Sequence, residues 1–107
     1  MPDSNYYKNK EWLKYAEEDD ILNVALFNTT AKEWKELNPD LAKTSNIRDY
    51  ATINELTVLS NLESHNAQMI RDGMDKKDRF EALKEIAEYQ LRVLNEAEKI
   101  NNRIEEQ

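Results

Sequence analysis

Cysteine is absent from the 107 residues, which excludes disulfides, thiolate metal sites and a cysteine nucleophile together. Glycine occurs once and proline twice, too few for a set of hairpin turns or for a glycine-rich loop that cradles phosphate. One histidine, His65, leaves no second imidazole to complete a zinc site. Apolar runs all fall short of the roughly 18–20 residues that cross a bilayer, and residues 1–19 contain no apolar signal core. A cytoplasmic protein without membrane contact is therefore expected, and a reducing compartment is compatible with the missing thiols.

What the chain does have is charge and helical periodicity. Charged residues make up 35% and apolar residues 39%, and 22 acids against 15 bases leave a formal net charge of −7. That balance repels nucleic-acid phosphate and favours basic partners, so direct nucleic-acid binding is not expected. Beta-branched residues never alternate cleanly with polar ones, and an all-α domain is predicted over residues 1–107. Its form would be a small bundle of four to five helices, with residues 1–10 loose and a long, self-associating C-terminal helix over 75–107. Met1 and the polar lead-in before Tyr15 read as a natural start.

Trp12, Leu13, Tyr15 and Ala16 form one side of a predicted short N-terminal helix, preceded only by Tyr6 and Tyr7 as residues to bury. The acidic run Glu17, Glu18, Asp19 and Asp20 precedes the apolar residues Ile21, Leu22, Val24, Ala25, Leu26 and Phe27. Negative charge at a helix start is favoured by the helix dipole. Four adjacent residues there do not converge on one hard cation, so the run reads as capping and an acidic surface and not as a metal site. Thr30 and Glu33 have the spacing of a capping box opening a helix through Ala31, Trp34 and Leu37, which Asn38-Pro39 closes. Asp40 to Asn46 is mostly polar and is the expected mobile connector.

Thr52 and Glu55 form a second predicted capping box. Beyond it Ile53, Leu56, Leu59, Leu62, Asn66 and Met69 recur at three or four residues, with Val58, Ala67 and Ile70 widening that face. This predicts a central buried helix ended by Gly73 in a left-handed cap. Asn66 interrupts the apolar stripe and needs a partner, for which a neighbouring backbone group is the expectation. The turn before the helix carries Arg48, Asp49 and Tyr50. A structural role there has Arg48 on helix carbonyls and Asp49 as a cap, and a functional role has the trio binding a partner's carboxylate or phosphate.

Asp75 and Asp78 mark the start of the last helix, which meets no glycine or proline afterwards. At about 1.5 Å per residue it would run about 45 Å, longer than a compact body with a radius of gyration of about 13 Å. Phe80, Leu83, Ala87, Leu91 and Leu94 form one stripe able to lie on the central helix. Ile86, Tyr89, Val93, Ala97, Ile100 and Ile104 form a second, which continues past the body and predicts pairing with another copy. Basic and acidic residues are interleaved along this helix, with Asp75–Arg79 and Glu88–Arg92 at favourable spacing, so a solvated, ion-paired surface is expected.

Catalysis finds no support in these residues. Ser60, Ser64 and His65 sit mid-helix, Glu63 and His65 cannot share a helical face, and no oxyanion-binding loop is evident. No catalytic residue, cofactor or metal is assigned.

The segments ILNVALFNTTAKEWKELNPDL and NIRDYATINELTVLSNLESHNAQMI, followed by the Arg79–Leu94 helix, resemble the region that follows the DNA-binding domain in bacterial and prophage KilA-N-domain proteins. The likeness covers roughly 21–94 and is densest in VALFNTTAKEW and NIRDYATINEL. It implies a phage or mobile-element lineage. The KilA-N domain itself is not present in these residues, so DNA binding does not carry over, and the matching region brings no catalytic residues. The resulting expectation is a small acidic helical module acting as a regulator by binding another protein, as a homodimer. The alternative is a freestanding anti-defence inhibitor, of the anti-CRISPR kind, whose acidic surface blocks a host nucleic-acid-binding protein.

Overall fold

The computed structural model describes residues 10–105, with side chains through Arg103; the expectations for residues 1–9 and for the side chain of Ile104 lie outside that range. The described chain is all α. A 3-10 turn, Lys10–Lys14, leads into helices α1 (Glu18–Phe27) and α2 (Ala31–Leu37). Two further 3-10 turns, Leu41–Lys43 and Ile47–Tyr50, then lead to α3 (Ile53–Arg71) and α4 (Lys76–Glu105).

Local chemistry accounts for the boundaries. Asp20 accepts from the Glu17 backbone N–H at 3.0 Å, closing the start of α1 with the acidic run itself. Asn28, at φ 60°, ends that helix in the left-handed region that asparagine tolerates. Thr30 Oγ1 accepts from Glu33 N at 3.2 Å, and α2 stops one residue before Asn38-Pro39. At α3 the predicted box closes in both directions: Thr52 N donates to Glu55 Oε1 at 2.8 Å and Glu55 N to Thr52 Oγ1 at 3.1 Å. Its other end is a Schellman cap, with Met74 N donating to Met69 O and Gly73 N to Ile70 O, both at 3.0 Å, and Gly73 at φ 80°.

Two expectations for the first half change. The short N-terminal helix is present as a 3-10 helix, and Leu13 and Ala16 of its patch are buried. Tyr15 instead points outward, 88% exposed. The polar connector is wound up: Ala42 N donates to Asn38 O and Ser45 N to Leu41 O, each at 2.9 Å, so its backbone groups are paired within the turn.

The core lies where α1, α3 and α4 meet. Ile21, Leu22, Val24 and Ala25 come from α1, Val58, Leu59 and Leu62 from α3, and Phe80, Leu83 and Ala87 from α4. Trp12 closes one end edge-on against Phe80, at 5.1 Å between ring centroids and 88° between planes. The apolar face expected on α3 is narrower than its sequence stripe. Ile53, Leu56 and Ile70 are exposed, because α1 is only half as long as α3 and covers its middle.

The largest departure concerns Arg79. Its spacing from Asp75 suggests a surface ion pair, but the side chain is buried, with the residue 5% exposed. Arg79 Nη1 donates to Asn66 Oδ1 at 2.9 Å, Nη2 donates to Glu18 Oε2 at 3.2 Å, and Nε reaches Met74 O at 3.1 Å. Asn66 Nδ2 in turn donates to Glu18 Oε1 at 2.9 Å. The buried amide thus finds side chains from two other helices, and not a backbone group, as its partners. One polar triad ties α1, α3 and α4 together, and each donor and acceptor in it answers another.

Candidate functional site

Two surfaces outside the core bear on function. The first is the outer stripe of α4. Burial on this helix ends at Ala87, with Leu91 and Leu94 half-buried against the core, and every residue from 95 to 103 is exposed. Of the second predicted stripe, Ile86 packs partly on the core, whereas Tyr89, Val93 and Ile100 are 61%, 44% and 58% exposed, and Ala97 is exposed as well. Its spacing repeats after eleven residues, Ile86 to Ala97 and Tyr89 to Ile100. An eleven-residue repeat stays almost aligned with a straight α-helix, so the stripe keeps to one side of α4 instead of winding around it. Arg92 lies 5.6 Å from the centroid of Tyr89 and covers part of that ring.

The second surface is a cleft of about 590 Å³ between the start of α1, Ala31 at the start of α2, the 46–48 turn and α3. Its lining includes Glu17, Asp19, Asp20 and Glu63, opposed by the single guanidinium of Arg48. Arg48 Nη1 stands 3.7 Å from Glu63 Oε1, with both side chains about half exposed, an arrangement that holds the arginine weakly. Asn23 also belongs to the lining, although the residue is only 3% exposed. Its Oδ1 has no hydrogen-bond partner.

The residues expected to act together at the 48–50 turn go three ways. Arg48 turns toward Glu63. Asp49 is used by the backbone: its Oδ2 accepts from Asn46 N at 2.8 Å, and its own N–H donates to Asn46 Oδ1 at 3.2 Å. Tyr50 packs beside Trp34, 5.7 Å between centroids. The acidic run divides as well. Glu17 and Asp20 close the helix start, Asp19 faces the cleft, and Glu18 turns inward to Arg79. The Arg79 hydrogen bond holds the Glu18 carboxyl below its ordinary value, with burial opposing and the Asn66 hydrogen bond reinforcing that shift.

His65 is exposed on α3. Among the described residues no three His, Cys, Asp or Glu side chains converge to hold a metal ion, and no helix is long and apolar enough to cross a membrane. Asn23 and Glu63 are the cleft residues that sequence reasoning passes over. A signal for Asn23 exists, since it is the one amide inside the apolar run Ile21–Phe27. Nothing local points to Glu63. Comparison with protein-family models, curated proteins and solved structures returns no match.

Proposed function

We propose that this chain is a non-enzymatic protein-interaction module that pairs with a second copy through α4. The supporting observation is the exposed Tyr89–Val93–Ala97–Ile100 stripe on a helix that extends beyond its own core. A single exposed apolar side chain is ordinary surface; several in register along one straight face are what a second helix covers. On this proposal the module belongs to a phage or prophage regulator and has another protein as its target, a reading supported by the resemblance of residues 21–94 to the region after the KilA-N domain. Light scattering after size exclusion tests the pairing. The chain should have twice its 12.7 kDa mass, and Val93→Asp with Ile100→Asp should halve it while leaving the far-ultraviolet circular dichroism unchanged. A wild-type chain that is monomeric at high micromolar concentration would sink the proposal.

A second reading rests on the net charge of −7 and on the carboxylate-lined cleft. In it the chain is an anti-defence inhibitor that occupies the basic channel of a host nucleic-acid-binding protein. Such binding weakens steeply with salt and competes with the nucleic acid. Binding that ignores salt, or that forms a ternary complex with nucleic acid, contradicts this reading.

A further inference from the structure

We infer that the cleft between α1, α2, the 46–48 turn and α3 receives an arginine side chain presented by a basic segment of a partner protein. Two independent observations meet there. Four carboxylates line the cleft against one guanidinium, so its field favours a cation. The same wall includes Asn23, whose amide oxygen, itself screened from solvent, is an acceptor without a donor. A buried acceptor left unmatched is costly, and the cost is relieved when a donor arrives. Every free group named here accepts hydrogen bonds.

The complementary ligand is therefore rich in donors and positively charged. Among the described residues no three ligating side chains converge, which argues against a metal ion in the cleft. A guanidinium presents five N–H donors in a planar fork and loses less on dehydration than an ammonium, which suits a recessed wall of carboxylates and one carbonyl. Arg48 already shows how such a group is accommodated: it sits at the cleft with a 3.7 Å approach to Glu63, half exposed and loosely held. It acts as a weak internal occupant that the partner's arginine displaces. This assignment rests on reading the chain as a protein-binding module. It shares no residue with the α4 stripe, so the two fail separately: a monomer that still binds the probe leaves the cleft standing.

The test is a ¹⁵N-chemical-shift titration of the full chain with N-acetyl-arginine methylamide, using its uncharged citrulline counterpart as the control. The arginine probe should give saturable shifts at Asn23, Ala31 and Ile47, with little from citrulline. Asn23→Leu, which keeps the volume but removes the acceptor, should weaken binding about tenfold. Glu63→Gln, at an exposed position that leaves the fold intact, should weaken it severalfold. Arg48→Ala should do the opposite and tighten binding by removing the competitor. Equal response to citrulline, shifts spread evenly over the acidic surface, or weaker binding by Arg48→Ala overturns the assignment. A lysine analogue that binds as tightly as arginine overturns the guanidinium preference.

Discussion

Arg79 is the residue whose role is least visible in the chain and most consequential in the fold. Its buried guanidinium is tolerated because Glu18, Asn66 and the Met74 carbonyl answer it. Removing one partner leaves the others stranded, so Glu18→Gln should cost about 1–3 kcal/mol in a urea melt. The pH dependence has a definite sign. A carboxyl held below its ordinary value of 4.5 binds its proton more weakly when folded than when unfolded, and the unfolded chain then takes up more protons in acid. The contribution is complete above 4.5 and fades as pH falls through the lower folded value. Wild-type stability should therefore fall more steeply than that of Glu18→Gln between neutrality and pH 3, and parallel curves would show that Glu18 contributes nothing specific. The need for a partner at Asn66 is legible from its place on an apolar stripe. Its partners are not, because Glu18 is 48 positions away, and an arginine four residues after an aspartate looks the same whether it stays at the surface or turns inward.

The helices themselves are well marked in the chain, because their ends are set by neighbours three or four residues apart. Loss of the α3 cap in Thr52→Ala should cost about 1 kcal/mol. At Gly73 a Cβ would meet nothing within 4 Å, so only the positive φ resists substitution. The order of stability should then be Gly73, Gly73→Asn, Gly73→Ala, with alanine costing about 1–2 kcal/mol; equal loss for asparagine and alanine would point to a steric cause instead. The misread elements are the short ones. A 3-10 turn and a disordered linker share the same polar composition, and the backbone bonds from Ala42, Lys43, Thr44 and Ser45 back along the chain distinguish Leu41–Lys43 from a loose connector.

Taken whole, the molecule is a three-helix core with an arm. The Cα radius of gyration is 15.3 Å, above the roughly 13 Å of a compact chain of this length, in keeping with an α4 that runs on past its last buried residue. A chain ending at Leu94 retains every buried α4 residue, so it should melt within a few degrees of the full protein in circular dichroism yet be monomeric. A collapse of its melting transition would mean that the arm belongs to the core. Sequence reasoning reaches the all-α class, the caps, the central helix and the overhang, since each follows from side chains close together along the chain or from helical period and length. It does not reach the inward turn of Glu18 and Arg79, the exposure of Ile53 and Leu56, or the joining of Asn23, Arg48 and Glu63 in one cleft. Those depend on which helix lies over which, and side chains far apart in sequence acquire their dielectric, their partners and their chemistry only when the helices pack.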